Sequence, residues 1–500
     1  MIPLKTKIAI RFIPIFVCFL LTHSNAFSQG QNNIWYFGHK AGLDFNSTPP
    51  LPVTGALISP EGTASISTSD GELLFYTDGR TVFDRNHQPM PNGTGLDGGE
   101  SSTQAVLILP LPHSSNLYYI FTTQQNAQPG RLSYSVVNSQ SNGGLGDVEP
   151  TQKNIVIESG TTEKLTCSKH QNGTDIWIIA HRLNSNQFIS YLLSATGLST
   201  TPVVSPVGSF YASDDQSGIG YMKASLSGSK LACAGTVPQI LELFDFNTTT
   251  GEVYNYIDLA QMLGADYYVY GLEFSQSECF LYVTSSINRK AIIQIDLSAM
   301  NYEVLFENAS VEYGALQLGP DGRIYVAKNL SKTIDVIERP DLLGGLSEYA
   351  EDYLELDSAT TCQYGLPNLA PFFNITNILS YSLLEDHLNL CQGTETSISI
   401  HFPYQCDDEP DSVFWSTGDT TSTIQVSEGG LHWVEVYMKV YKLRDTIIVN
   451  ALDCSSVVRY DLNDCESFMG NGSHIDYSEF VPSYPQPLSC AEIEAGTLHR

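Results

Sequence analysis

The sequence predicts an all-β protein: a β-propeller, with seven blades favoured, followed by a small immunoglobulin-like sandwich. Three observations carry this prediction. A pattern of apolar strand, polar turn and second apolar strand recurs six times before residue 373. Strand-like runs separated by turn residues continue after it. The 500 residues are 42% hydrophobic and only 16% charged, which supplies large cores and excludes a disordered chain.

The N-terminus has the pattern of a secretory signal peptide. Three basic residues precede an apolar run at 12–21, which is too short to span a bilayer. We expect a signal peptide at 1–28 with cleavage after Ser28, and no membrane span in the mature chain. The protein is then secreted or held at the cell surface. An uncleaved membrane anchor is the alternative.

The six repeats have a propeller blade's length. Their second strands are anchored 43 to 58 residues apart, and a four-stranded blade takes about 40 to 50 residues plus loop insertions. The anchors are Phe75, Tyr119, Trp177, Ala232, Tyr282 and Tyr325. Strands at 34–45 and 366–373 are expected to close a further blade together, which gives a propeller at 33–373. Six or eight blades, or a pair of sandwiches, are the alternatives.

A second module is predicted at 375–453. Its strand-like runs are separated by turn signals at about ten-residue intervals, a spacing typical of an immunoglobulin-like or PKD-like sandwich. Trp415 is a candidate for its core. The remaining residues, 454–500, read as a cysteine-containing tail or as the start of an incomplete domain.

Nine of the ten cysteines remain after removal of Cys18 with the signal peptide. The widely spaced ones are expected to be buried core thiols, with disulfide pairs in an oxidising compartment as the alternative: Cys167, Cys233, Cys279 and Cys362. Disulfides are favoured among the denser set, with connectivity left open: Cys391, Cys406, Cys454, Cys465 and Cys490.

The net charge of the chain limits the classes of partner that it can bind. A net charge of -30, without a Lys/Arg cluster, disfavours nucleic acid and anionic membranes. The export signal and the repeats instead favour an extracellular protein or glycan as the partner. The sequence also lacks a nucleophile elbow, a phosphate-binding loop, a dinucleotide fingerprint and a zinc-protease helix.

The candidate catalytic residues lie on predicted strands and loops. His170 and His181, with Glu163 upstream, are candidates for a base or metal site at one mouth of the propeller. The alternative is a pair of structural histidines held by hydrogen bonds.

Two further sets of residues suggest ligand binding. Three tyrosines could form a carbohydrate platform or pack within a blade: Tyr267, Tyr268 and Tyr270. Two acidic turns are either calcium sites or solvated loops: Asp214 with Asp215, and Asp407 with Asp408. We expect no cofactor, and calcium is the one alternative.

Several motifs resemble those of a known family. They are NIWYFG at 33–38, DGELLFYTDG at 70–79, FDRNH at 83–87, MPNG at 90–93, EKLT at 163–166, HQNG at 170–173 and SNQF at 185–188. Together they resemble a family of secreted Bacteroidetes-type repeat proteins that often end in a gliding-motility-associated or type IX sorting domain. Residues 414–436 resemble the immunoglobulin-like or PKD-like modules that accompany such propellers. The resemblance implies a secreted or surface location and no assigned reaction, although no sorting domain is recognisable before Arg500.

Three functional hypotheses follow. The first is a non-catalytic binding or adhesion protein that presents propeller and immunoglobulin-like surfaces to a protein or glycan. The second is a secreted hydrolase or lyase with a histidine and carboxylate site at the propeller channel. The third is a targeting or scaffold part of a larger exoprotein.

Overall fold

The computed structural model describes residues 30–125, 130–373, 383–384, 387–400, 410–438 and 442–452. Across these residues the chain is all-β, with two single-turn helices, α1 (Ser141–Gly144) and α2 (Ala260–Leu263). Short 3-10 turns lie at Gly30–Asn32, Pro150–Gln152, Gly344–Ser347 and Pro371–Phe373. No helix in the described part is long and apolar enough to cross a membrane. The predicted signal peptide at 1–28 and the tail at 454–500 lie outside the described residues.

The first two sheets are antiparallel and follow chain order. The three-stranded sheet contains β1 (Ile34–Phe37), β2 (His39–Asp44) and β3 (Leu51–Ile58). The four-stranded sheet contains β4 (Ala64–Ser67), β5 (Leu73–Thr77), β6 (Thr81–Asp84) and β7 (Pro89–Thr94).

The second and third predicted repeats share one nine-stranded sheet. Its strands are β8 (Val106–Pro110), β9 (Leu117–Thr123), β10 (Gly130–Asn138), β11 (Asp147–Val148), β12 (Ile155–Lys169), β13 (Ile176–Arg182), β14 (Ser185–Ser194), β15 (Gly197–Leu198) and β16 (Val203–Tyr211). The sheet is continuous because β12, at 15 residues, pairs with β10 through its first half and with β13 through its second half. One strand therefore ends one repeat and begins the next.

The next three sheets each have four antiparallel strands in chain order. The first contains β17 (Met222–Ala224), β18 (Lys230–Gly235), β19 (Ile240–Phe246) and β20 (Val253–Asp258). The second contains β21 (Tyr267–Phe274), β22 (Phe280–Asn288), β23 (Ala291–Asp296) and β24 (Asn301–Glu307). The third contains β25 (Tyr313–Leu318), β26 (Ile324–Lys328), β27 (Thr333–Ile337) and β28 (Tyr349–Glu355).

The all-β prediction and the repeat are confirmed. All six predicted anchors lie on the second strand of a repeat and are buried. Polar turns join the first strand to the second, as at Gly228 and Gly322, which adopt φ of 74° and 81°. Positive φ favours glycine because it has no Cβ to clash with the backbone. These four-stranded antiparallel sheets are consistent with propeller blades.

The cores lie between successive sheets. One core joins Trp177 and Phe188 to Met222 and Phe244 of the following sheet. The first strand of each repeat also contacts the first strand of the next one. The successive pairs in contact are β1 with β4, β4 with β8, β8 with β12, β12 with β17, β17 with β21 and β21 with β25. The Trp35 ring lies 5.5 Å from that of Tyr325, so the first sheet packs against the last sheet of the repeat region.

The predicted strand at 366–373 is wrong. This segment carries a single bridge, between Pro367 and Thr63, and ends in the turn at Pro371–Phe373. Upstream, Thr361 bridges to His39 of β2. Pro367 and Pro371 have no backbone N–H to donate to a ladder, so an apolar run that contains both does not extend a sheet.

The C-terminal strands are β29 (His387–Cys391), β30 (Thr396–Ser399), β31 (Ser412–Trp415), β32 (Thr423–Val426), β33 (Gly430–Tyr437) and β34 (Lys442–Leu452). They form a sheet in the order β29-β34-β33-β31, with β29 parallel to β34, and a two-stranded antiparallel sheet of β30 and β32. Trp415 is buried, as predicted. An immunoglobulin-like sandwich stays a prediction.

The cysteine predictions are confirmed in part. Cys167, Cys233 and Cys362 are buried free thiols, as expected. Cys279 is buried and disulfide-bonded, so it follows the alternative of a disulfide and not the expectation of a free thiol. Cys391 is also disulfide-bonded.

Candidate functional site

His181 lies in the interior of the nine-stranded sheet. Its ring packs 4.3 Å from that of Tyr211 and 4.6 Å from that of Phe188, and the residue is fully buried. Nδ1 lies 2.7 Å from the Arg182 carbonyl oxygen, which only accepts, so Nδ1 carries the proton. Burial and the positive charge of Lys164 lower the pKa of His181 to about 3. The imidazole is therefore neutral at physiological pH.

The structure does not bring His170 and His181 together. His170 lies in the turn after β12, where its Nδ1 accepts a hydrogen bond from the Asn172 N–H at 3.0 Å. His181 lies near the far end of β13. The intervening extended strand spans roughly 20 Å. A catalytic pair of these two histidines would need a distance that the hairpin does not provide.

Glu163 and Lys164 face different partners at the middle of β12. The Glu163 Oε2 accepts hydrogen bonds from the backbone N–H and the hydroxyl of Thr103, both at 2.8 Å. The Lys164 Nζ donates to the carbonyl oxygens of Gly220, at 3.0 Å, and of Ala234. Both side chains are buried. Burial lowers the pKa of Lys164 to about 8.

Lys164 belongs to a buried group that we call the Lys164 cluster: Lys164, His181, Tyr211 and Glu242. Lys164 Nζ lies 5.1 Å from the centre of the Tyr211 ring, and the Tyr211 hydroxyl donates to Glu242 Oε2 at 2.8 Å. Glu242 Oε1 accepts from the Ser209 N–H at 2.7 Å. Burial raises the pKa of the Glu242 carboxyl. The cluster links the nine-stranded sheet to the sheet of β17–β20.

The predicted tyrosine platform is mostly buried. Tyr267 is buried, with the Arg289 guanidinium 4.8 Å from its ring centre. Tyr270 is buried and donates its hydroxyl to Glu61 Oε1 at 3.1 Å. Tyr268 is partly exposed. A flat three-tyrosine surface is therefore not presented to solvent.

The acidic turn follows β16. Asp214 is exposed, and Asp215 Oδ1 accepts from the Ser217 N–H at 2.8 Å, which closes a local turn. The described part of the chain holds no group of three or more His, Cys, Asp or Glu side chains arranged to bind a metal. Asp407 and Asp408 lie outside the described residues. Calcium binding stays a prediction.

Sequence reasoning missed a set of polar residues that we call the central polar cluster: Thr166, Lys223, Glu273 and Gln317. They lie on the first strands of four consecutive repeats. Lys223, Glu273 and Gln317 each pair with the anchor residue of their own repeat, whereas Thr166 pairs two residues away from its anchor. The Lys223 Nζ lies 3.0 Å from Glu273 Oε2 and donates to Gln317 Oε1 at 2.6 Å. The sequence pattern that could have revealed the cluster is a polar residue between two apolar residues in the first strand of each of these four repeats.

The cleft beside the central polar cluster is small. Leu369 and Pro371 are among the other residues that line it, and its free volume is about 10 Å³. One water molecule requires about that much space. The charged side chains therefore pair with each other rather than face a large ligand space.

Glu61, another carboxyl whose pKa is raised by burial, lies just before β4. Its Oε1 accepts from the Tyr270 hydroxyl at 3.1 Å, and its Oε2 accepts from the Ser101 hydroxyl at 3.0 Å. Burial raises the pKa of Glu61. The side chain is partly accessible. The hydrogen bonds from the Ser101 and Tyr270 hydroxyls favour the charged carboxylate and oppose part of this shift.

Apolar and aromatic side chains are exposed on β16 and β20, a surface that we call the outer strip: Val204, Phe210, Tyr254, Tyr256 and Ile257. Phe210 is 61% exposed, Tyr254 40% and Tyr256 42%. The strands are joined where the Val253 N–H donates to the Ser205 hydroxyl at 3.0 Å. A register shift in β20 opposite β19 turns consecutive side chains outward.

No family model and no curated protein matches this sequence. Solved structures show distant similarity. The periplasmic gluconolactonase of Pseudomonas aeruginosa is 13% identical, with 66% of this chain and 97% of that chain covered and a TM-score of 0.41. A streptogramin B lyase is 14% identical, with coverage of 67% and 91% and a TM-score of 0.39.

A β-propeller domain of Cps50 (Swd1) from Myceliophteria thermophila is 8% identical, with coverage of 60% and 94% and a TM-score of 0.39. At these identities and TM-scores, the similarity supports no statement about activity. The resemblance to a Bacteroidetes-type family stays a prediction.

Proposed function

We propose that this protein is a secreted or cell-surface binding protein that recognises an extracellular protein or glycan without catalysing a reaction. In this proposal the sheets of 33–373 form a seven-bladed propeller, followed by an immunoglobulin-like module at 375–453. The contact of Trp35 with Tyr325 supports a closed ring.

The outer strip carries the proposal. It places five large side chains, each at least 40% exposed, on two adjoining strands. Exposed apolar patches of this kind are typical of interaction sites. Tyrosines add a flat ring and a hydroxyl, which suit both protein and sugar surfaces. The bulge in β20 disfavours pairing with another strand, so recognition is expected to depend on side chains.

The proposal is tested with the full secreted chain on arrays of glycans and extracellular-matrix proteins. We expect at least one specific partner, with affinity reduced tenfold or more in the double variant Tyr254→Ala/Tyr256→Ala. Tyr302→Ala, which removes an exposed tyrosine from β24, is the matched control and should keep wild-type affinity. Equal affinity in the double variant and the control would contradict a role for the outer strip.

Glu61 favours the second candidate function, a secreted hydrolase or lyase. Its carboxyl is partly accessible, and burial raises its pKa, which is the direction that a general acid needs. A broad panel of hydrolase and lyase substrates tests this alternative. Turnover that is lost in Glu61→Gln and kept in the control Glu72→Gln, which alters an exposed turn, would favour the enzyme over the binding protein. The scaffold hypothesis stays a prediction.

A further inference from the structure

A groove of about 410 Å³ lies on the sheet face of β9 and β10. Leu117 and Tyr119 share this face because they are two residues apart on β9. Val136 of β10 pairs directly with Tyr119 and extends the floor. The Tyr119 ring is packed 5.1 Å from that of Tyr134 and is only 7% exposed. The floor is therefore apolar and rigid, with a phenol at its edge.

Two turns form the walls. Glu149 and Gln152 line one side, where the Glu149 N–H donates to the Val136 carbonyl at 2.8 Å and the Gln152 N–H donates to the Glu149 carbonyl at 2.9 Å. Thr196 and Gly197 line the other side. A Cβ at Gly197 would lie 3.4 Å from the Tyr119 hydroxyl oxygen, so glycine leaves the space beside the phenol open.

The chemistry of the groove restricts its ligand. Its polar groups are a carboxylate, an amide and two hydroxyls, and none of the described residues that line it is basic. A lone carboxylate without a cation disfavours an anionic ligand. The same carboxylate would attract a cation, but the face of the Tyr119 ring is covered by its neighbours and offers no cation–π contact, so a cationic probe is a required control.

We propose that this groove is a binding site for a neutral saccharide, such as the terminal sugar of a glycan. The volume lies within the range of small-molecule sites. A sugar ring offers an apolar C–H face to the floor at Leu117 and Val136. Its hydroxyls donate to Glu149 and exchange hydrogen bonds with Gln152, Thr196 and the Tyr119 phenol. The site is separate from the outer strip and does not depend on it.

The test uses the full secreted chain and saturation-transfer difference NMR with methyl glycosides of glucose, galactose, mannose and N-acetylglucosamine. Sialyllactose and spermidine serve as the anionic and cationic probes. We expect saturation transfer to at least one neutral glycoside and to neither charged probe. Titration of that glycoside should give an affinity reduced fivefold or more in both Glu149→Gln and Tyr119→Phe.

The matched controls are Tyr118→Phe, on the opposite face of the same strand, and Thr151→Ala, in the same turn as Gln152. Both should stay within twofold of wild type, and thermal melts should show all four variants folded. The outer-strip double variant should bind the glycoside normally, which separates this proposal from the proposed function. Absence of signal from all four glycosides, stronger binding of a charged probe, or unchanged affinity in Glu149→Gln and Tyr119→Phe would each overturn it.

Discussion

Two buried lysines, on the first strands of adjoining repeats, have their ammonium groups stabilised by different kinds of partner. Lys164 places its ammonium group against backbone carbonyls of Gly220 and Ala234. Lys223 places its ammonium group against the Glu273 carboxylate and the Gln317 amide oxygen. Both residues are at most 5% exposed. One cation is therefore held by dipoles and the other by an opposite charge.

The difference predicts opposite weaknesses. A buried ion pair is sensitive to loss of either partner, because the remaining charge has no compensation. A buried cation held by carbonyls carries an uncompensated desolvation cost. Deprotonation at higher pH removes the charge and therefore that cost. We therefore expect the stability contributed by the Lys164 cluster to depend on pH. The stability contributed by the central polar cluster should instead depend on keeping both members of the ion pair.

The largest expected effect is in the central polar cluster. Lys223→Met leaves the Glu273 carboxylate buried without its cation, and we expect a loss of about 3–5 kcal/mol in the free energy of unfolding. The double variant Lys223→Met/Glu273→Gln removes both charges and should recover at least half of that loss. Guanidinium unfolding of the full chain measures both values. A cost below about 1 kcal/mol for the single variant would contradict the comparison.

The second effect concerns acid and the Lys164 cluster. The pKa of His181 is about 3 in the folded protein, below its ordinary value of 6.5, so the unfolded chain binds the extra proton between these values. Stability should therefore fall as pH falls, by about 2 kcal/mol between pH 7 and 5. The variant His181→Phe should lose this dependence, whereas His170→Ala should keep it. Parallel pH profiles for wild type and His181→Phe would show that His181 is not the group responsible.

The fold was largely predictable from local patterns, and the exceptions have physical causes. Alternating apolar residues and turn glycines located the six repeats, because strand period and positive φ are local properties. The shared strand β12 was not foreseen, since its two halves pair with different partners. The segment at 366–373 has the apolar run of a strand, but Pro367 and Pro371 cannot donate to a ladder, so a pattern of apolar residues alone predicts the wrong structure there.

The candidate site was harder to predict because it depends on distant residues. The short separation of His170 and His181 in sequence predicts that they are close in space, but they lie at opposite ends of a hairpin. Lys223 and Glu273 are 50 residues apart, yet they occupy matching positions in neighbouring sheets. Only an alignment of the repeats with the strand register would have joined them.

The third effect is an alkaline gain in stability. The pKa of Lys164 is about 8 in the folded protein and 10.5 ordinarily, so between these values the unfolded chain binds more protons. Stability should rise by about 1 kcal/mol between pH 7.5 and 9 from this group. The difference between wild type and Lys164→Met across that range isolates it from other titrating residues. A difference that does not change with pH would mean that Lys164 titrates at its ordinary pKa.

The smallest effect comes from an ion pair at the surface of the same sheet as Lys223. Lys230 Nζ lies 3.8 Å from Asp245 Oδ1, and both side chains are 36% exposed. Because water solvates both charges before and after the pair is broken, Lys230→Met should lower the free energy of unfolding by less than about 0.5 kcal/mol. Added salt should erase even this difference, since exposed pairs are screened. A loss as large as that of Lys223→Met would mean that burial does not separate the two pairs, and that charge removal alone destabilises the sheet.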